Sequence, residues 1–345
     1  MTLPSSMRAA VYKGKGQVVE EEIPLPQVGS GDLLIEISHC GICGSDLHFM
    51  VEDWARPDTV HGHEYSGTVV AAGDSVVGIE PGDLVVGGPR PGCGHCGPCG
   101  RGDTNLCTVR PPVGISHDLG AFAEYKVLPA DSAFRIPGNV ALRTAALTEP
   151  LAVALRGVRR AGVVEGSRVL VLGAGPIGLL TVASLRSAGV DQVTVSEPGK
   201  GRREAALRVG ASAVIDPSEL AEPPLPMDLI AEPFDAVIDA SGRADAMTMG
   251  LTQLGRGGRL VLSGTGMRRP RFDPNRIILN ELVITGSFEY DRADFDRALA
   301  LLASGTLPVG HLIEEGDVAL NAVGDALDRL ASGVAATKVM VSPHA

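Results

Sequence analysis

Four cysteines crowd one short stretch of the chain: Cys93, Cys96, Cys99 and Cys107, with glycines at 94, 97 and 100 between and after the first three. Four thiolates so spaced can wrap one tetrahedral zinc ion, and a shell of four cysteines is structural because it leaves no open position. The glycines let the backbone curl tightly around the ion. A disulfide pair is the competing reading, and it needs an oxidising compartment. Residues 1–10 lack the apolar stretch of a signal peptide. A cytoplasmic setting with reduced thiols is therefore expected, which favours zinc.

A second group of chemically capable residues is dispersed. Cys43 stands in GICGSDLH at 41–48, and His63 and Glu64 stand in GHEYSG at 62–67. A thiolate, an imidazole and a carboxylate are the donor types of a catalytic zinc, which keeps one position open. Two separate loops must meet for this to work. Cys40 makes a Cys-x-x-Cys with Cys43; a packed spectator is favoured over a redox partner or substitute ligand.

A third site is contiguous. Gly173-Ala174-Gly175-Pro176-Ile177-Gly178 follows one apolar run and opens another. In a strand–turn–helix context the first glycine makes the turn, the second lets a pyrophosphate approach the backbone, and the third lets helix and strand pack closely. The helix N-terminus then favours the phosphates. Glu197 falls about 20 residues past the motif, where a carboxylate accepts from ribose hydroxyls and repels a 2′-phosphate. NAD is thus preferred over NADP, although Arg202 and Arg203 nearby could hold a phosphate.

The surrounding pattern supplies elements to position these groups. Up to about residue 140 short β-like runs alternate with loops, including 33–37, 68–70 and 83–86. From 151 the rhythm changes. Helix-like 151–161 precedes a strand at 168–172, a helix at 176–188, a strand at 192–196, a helix at 202–209 and strands at 213–215, 236–238 and 259–262. Alternation of that kind predicts a parallel sheet with crossover helices. The tail carries helices at 294–303 and 323–331 and a last strand at 338–341. At 345 residues the chain exceeds one ordinary core. Its net charge of −11 predicts no general attraction to nucleic acid or anionic membranes. The one dense basic run, at 267–271, reads as a solvated loop. No window approaches the roughly 18 apolar residues of a membrane span.

These motifs, in this order and with TEPLAVAL at 148–155 and GSFEY at 286–290, resemble the zinc-containing medium-chain dehydrogenase/reductase family over essentially the whole chain. The sorbitol, threonine and butanediol dehydrogenase branch is nearest in motifs. The resemblance implies an α/β chain: a GroES-like, mostly-β catalytic domain at 1–152 with the structural zinc loop at 93–107, a doubly wound Rossmann domain at 153–288, and a return to the catalytic domain at 289–345. It makes Cys43 and His63 zinc ligands, with Glu64 or Glu149 as the further donor, and so implies two zinc ions per chain. Asp46 resembles the acid that orients the histidine ligand. Ser45 and His48 match positions that relay a proton from the site toward solvent, for which capping and a surface imidazole are the plain alternatives. Arg202 matches a residue packed near the adenine, and Leu262, Ser263, Gly264, Ser287 and Phe288 match contacts to the nicotinamide half.

The implied activity is hydride transfer between a secondary alcohol and NAD, with zinc lowering the hydroxyl pKa and the cofactor accepting the hydride. A polyol or diol fits best. Glu289 replaces an arginine common in polyol enzymes, and Phe49 replaces a tyrosine, which argues against sorbitol itself. Threonine, butanediol, amino-alcohol or cyclitol substrates are the alternatives, and Trp54 is a candidate for the pocket wall. A catalytically retired NAD-binding protein is the non-enzyme reading; the intact set Cys43, Ser45, His48, His63 and Glu64 argues against it. A homodimer or homotetramer acting on a small molecule is expected.

Overall fold

The computed structural model describes residues 3–50, 54–110, 119–333 and 337–345, without the side chains of Phe49 and Met50. The chain forms two compact units. One comprises Met1–Glu149, Asp291–Gly305 and Ile313–Ala345; the other comprises Pro150–Tyr290 and Thr306–Leu312.

The first unit is built on antiparallel strands. Gln17–Pro24, Ser6–Gly14 and Thr59–Val60 form one sheet in that order. A second sheet runs Met340–Val341, Asp32–Gly41, Glu64–Ala72, Leu84–Gly87, Ala133–Arg135, and Tyr125–Pro129 also pairs with Asp32–Gly41. Its centre is apolar on alternate and adjacent positions alike, because Leu33, Leu34, Ile35 and Ile37 are all buried. Leu33, Ile35 and Ile37 join Tyr12, Phe122 and Val69 in one core. The long strand is bulged twice against its neighbour, between Leu34 and Ile35 and between Ile37 and His39. Its end is clamped on both sides: Gly41 pairs with Glu64 on one edge and Met340 on the other.

The second unit holds a six-stranded parallel sheet in the order Ala213–Ile215, Gln192–Ser196, Arg168–Leu172, Phe234–Asp239, Leu254–Leu262, Val283–Gly286. The first strand in sequence lies in the middle and the chain winds outward both ways, which is the doubly wound Rossmann order. Val169, Leu170 and Val171 are wholly buried, as a parallel sheet covered on both faces requires. The order reverses beside Arg168–Leu172, so its carboxyl end and that of Phe234–Asp239 flank the crevice where such sheets bind ligands. The helices Ala244–Thr252 and Pro274–Leu279 and the edge strand Val283–Gly286 complete the unit, none of them anticipated from the pattern.

No helix among the described residues is long and apolar enough to cross a membrane. The basic run is exposed at Met267, and Arg268 faces Asp245 across 3.8 Å, as a solvated loop does.

Candidate functional site

The four-cysteine loop curls around a common centre. The sulfurs of Cys93, Cys96, Cys99 and Cys107 all lie within 4.8 Å of one another. Cys93 and Cys99 are 4.0 Å apart, as are Cys96 and Cys107. Zinc–sulfur bonds of about 2.3 Å in a tetrahedron put sulfurs about 3.8 Å apart, so the loop fits that ion. All four are free thiols in this arrangement, as a zinc shell requires. Backbone N–H groups hold the Cys96 thiol down to about 6 and that of Cys107 to about 7, while Cys99, against the pull of the Gly94 backbone, is raised to about 11 by burial and by the hydrogen bonds of the other three sulfurs.

The dispersed group also assembles. Cys43, at the end of the loop after Asp32–Gly41, meets His63 and Glu64 with donor atoms within 4.8 Å. The turn before His63 needs Gly62, whose φ is +95° and where a β-carbon would stand 2.8 Å from Cys40 Sγ and 2.9 Å from Phe122. Glu64 is wholly buried. Its Oε1 accepts from Lys338 Nζ at 2.7 Å, while Oε2 accepts no hydrogen bond from the described residues. A buried carboxylate oxygen without a hydrogen-bond partner, beside a thiol and an imidazole, offers a lone pair that a zinc ion would satisfy.

Asp46 is likewise wholly buried. Its Oδ2 accepts the Cys43 N–H at 2.9 Å, and its Oδ1 faces His63 Nδ1 at 3.8 Å. Burial pushes its carboxyl up, against the pull of His63. Burial opposes charge on His63 too, yet the hydrogen bond and charge of Cys43, with Asp46 and Glu149, raise its pKa well above the ordinary value. A dication would meet the same negative potential. Glu149, in the first turn of Thr148–Ala161, acts on His63 and Lys338 through charge but lies outside the three-donor group. Cys40 also lies outside it, in the core, where burial pushes its thiol well up.

Ser45 and His48 ride on the short helix Gly44–Met50, three residues apart and so on one face. The His48 ring stacks on Trp54, centroids 5.3 Å apart and planes 21° from parallel. Trp54 is half exposed. The side chain of Phe49 lies outside the described residues.

In the second unit the glycine motif occupies the predicted turn. Gly173 has φ +93° and donates to Ser196 O at 2.8 Å. Gly175 caps the helix Pro176–Ser187, with Pro176 at its first position and Ile177 after it. Gly178 packs on Gly173 so closely that a β-carbon would stand 2.9 Å from the Gly173 carbonyl carbon and nearer still to its oxygen. Glu197 is buried, and its two oxygens accept from Ala174 N and Gly199 N, each at 2.9 Å. It therefore ties the motif to the next strand while keeping lone pairs for a ligand. Arg203 is engaged elsewhere, by Glu197 O, Pro198 O and Asp216 Oδ2 at 2.6, 2.7 and 2.9 Å. Arg202 sits half-buried on the helix Lys200–Arg208, above Gly199.

Leu262, Ser263 and Gly264 leave the carboxyl end of their strand, with both Ser263 N and Gly264 N donating to Asp239 O at 3.0 Å. Ser287 N donates to Leu262 O at 2.9 Å, and Phe288 is exposed. These segments share the carboxyl edge of the sheet with the glycine motif. Glu289 follows with φ +50°, a left-handed backbone that is uncommon for glutamate.

Sequence reasoning missed two residues here. Asp239, wholly buried, accepts from Ser241 N and Oγ at 3.1 and 2.6 Å and from Gly242 N at 3.2 Å, which shapes the loop flanking Gly173. Aspartate followed by serine and glycine at a strand end was the available signal. Lys338 is the other, and nothing local marks it.

Comparison with known proteins agrees with this architecture. Residues 29–138 match the family model for the alcohol dehydrogenase GroES-like domain, and residues 176–304 that for zinc-binding dehydrogenase. The D-xylulose reductase A of Aspergillus oryzae is 36% identical over 318 residues, 88% of each chain. A Sinorhizobium meliloti protein described as a zinc-binding dehydrogenase, solved with NADP, is 34% identical with a TM-score of 0.88, covering 99% of this chain and 100% of its own. Galactitol-1-phosphate dehydrogenase of Escherichia coli is 26% identical with a TM-score of 0.88, covering 98% and 100%. The chain belongs to the zinc-binding alcohol dehydrogenase family, with its GroES-like and Rossmann parts. It is an oxidoreductase of CH–OH groups.

Proposed function

We propose that the chain oxidises a secondary alcohol of the polyol or diol kind to the ketone, with NAD as hydride acceptor. The observation that carries this reading is the group Cys43, His63 and Glu64, three donors within 4.8 Å with one buried carboxylate oxygen left unpartnered. Zinc there would polarise the substrate hydroxyl, and the nicotinamide would take the hydride. The chain's own groups do the rest. Cys43, His63 and Glu64 hold the metal, and Asp46 orients His63. Ser45 and His48 lead the hydroxyl proton outward along one helix face, an imidazole being suited to pass protons near neutrality. Glu149 lends negative potential from the neighbouring helix terminus. Cys93, Cys96, Cys99 and Cys107 hold the structural zinc.

Gly173, Gly175, Pro176, Ile177 and Gly178 cradle the pyrophosphate, and Glu197 takes the adenine ribose with Arg202 beside the base. Leu262, Ser263, Gly264, Ser287 and Phe288 face the nicotinamide half. The buried Glu197 carboxylate and the prior engagement of Arg203 support NAD over NADP. Relatives named for xylulose and galactitol-1-phosphate support the polyol class. Glu289, in place of an arginine, favours a substrate other than sorbitol.

A cytoplasmic homodimer or homotetramer completes the proposal. Its oligomeric part is supported by the edge strand Val283–Gly286, which pairs on one side only among the described residues, and by exposed Ile278, Leu279 and Val283. Light scattering on the eluted protein tests it, and a monomer would refute it.

The test of function is NADH formation across polyols, diols, amino alcohols and simple secondary alcohols, with NAD and NADP in parallel. Turnover with NAD on a polyol or diol that vanishes in Cys43→Ala supports the reading. Preference for NADP, or turnover that survives Cys43→Ala, overturns the corresponding part.

A further inference from the structure

Lys338 lies 274 positions from Glu64 in sequence and beside it in space. The route is the clamped end of Asp32–Gly41, where one edge carries Glu64 and the other carries Met340, two residues past the lysine. Side-chain exposures are 1% for Lys338 and 0% for Glu64, so the pair is sealed from water. Nζ donates to Glu64 Oε1 at 2.7 Å and to Ile42 O at 3.0 Å. The second bond ties the ammonium to the residue just before Cys43. Gly41 closes the cradle. A β-carbon there would stand 3.1 Å from Lys338 Cδ, 3.3 Å from Glu64 Cβ and nearer still to Glu64 Oε2. The carboxylate is therefore seated between an ammonium and a bare α-carbon, with Oε1 occupied and Oε2 unbonded.

A carboxylate can give a metal one oxygen or two. A catalytic zinc needs a position left open, and a chelating glutamate beside a thiolate and an imidazole would fill it. We propose that Lys338 is a positioning residue that confines Glu64 to one donor oxygen, Oε2, and so keeps the Cys43–His63 metal site open for substrate. The proposal rests on the metal reading of that site. Lys338 also sets an ammonium against the buried carboxylate, a partner that the Glu64 side chain has without any metal.

The test loads Co²⁺ into the site in place of zinc, since visible absorption of cobalt reports coordination number and donor set. Lys338→Met is expected to keep the metal but shift the spectrum toward higher coordination, with kcat lowered about ten- to hundredfold, the usual effect of removing such a partner. Lys338→Arg should restore most of both. Lys338→Met/Glu64→Gln should match Glu64→Gln alone, because a residue acting only through Glu64 has nothing left to act on. The double variant leaves no unpaired charge, so it and Lys338→Arg decide the matter even where Lys338→Met fails to fold. A wild-type cobalt spectrum in Lys338→Met, or a double variant far below Glu64→Gln, overturns the proposal. Metal retained in Cys43→Ala overturns the site reading itself, a separate result.

Discussion

The glycines of the nucleotide loop offer a paired perturbation with opposite outcomes. A methyl at Gly178 would stand 2.9 Å from the Gly173 carbonyl carbon. Carbon atoms prefer about 3.5–4.0 Å, so helix and turn must part by roughly half an ångström or more. The helix Pro176–Ser187 buries eight of its residues, Gly178 to Leu185, and is poorly placed to move. Overpacking of that kind costs about 1–3 kcal/mol, and the Gly173 carbonyl oxygen, nearer still to the methyl, puts this case at about 2–3 kcal/mol. Alanine's better helix propensity would stabilise by up to about 1 kcal/mol, so the sign of the change shows which effect wins. At about 2–4 °C per kcal/mol, Gly178→Ala should melt roughly 2–12 °C below wild type.

Gly175 is the control. A β-carbon there meets nothing within 4 Å, and φ −74° with ψ −176° suits alanine. Gly175→Ala should melt within about 1 °C of wild type without cofactor, its small capping loss offset by a stiffer unfolded chain. Its methyl intrudes where the pyrophosphate approaches, so NADH should bind at least tenfold more weakly, about 1.4 kcal/mol. Melting curves with and without NAD and a titration of bound-NADH fluorescence measure both. A Gly178→Ala protein as stable as wild type refutes the packing argument. A Gly175→Ala protein that binds NADH normally refutes the placement of the phosphates.

Three further outcomes follow from other parts of the chain. Asp239→Asn keeps the shape but loses one of two acceptor oxygens that serve Ser241 and Gly242, and should cost about 1–3 kcal/mol in urea unfolding, whereas an unchanged midpoint would show that the loop does not depend on that carboxylate. Cys96→Ser should lower zinc content by one ion per chain and expose residues 93–107 to protease; two ions retained would refute the four-thiolate site. Burial holds the His39 imidazole below its ordinary value despite Asp317, so the unfolded chain takes up the proton first; stability should fall as pH drops through about 6.5, and His39→Gln should flatten that slope, an unaltered slope counting against it.

What was legible in the sequence was local. The four-cysteine loop spans fifteen positions, and a strand, a turn and a helix in immediate succession reveal the glycine motif. Continuous apolar runs such as Val169–Leu172 announce buried parallel strands, and the strands and helices of the Rossmann half were largely readable by period. The helix Ala244–Thr252 escaped because Arg243 at its start makes no capping bond; the amides before it turn on Asp239 instead. The edge strand Val283–Gly286 is four residues long and half exposed, too short for a periodic signal.

The donor types Cys43, His63 and Glu64 were visible as residues, but their meeting depends on two loops being brought together by the pairing of Asp32–Gly41 with Glu64–Ala72. Glu149 and Glu64 looked equivalent in one dimension; in three, only Glu64 joins the other two donors. Lys338 shows the limit most clearly. Its sequence neighbours are those of an ordinary terminal strand, and its partner lies 274 residues away. Only the antiparallel closure of Met340–Val341 onto Cys40 and Gly41 carries that ammonium into the core, because strand pairing fixes which distant residues share a neighbour and no local pattern records it.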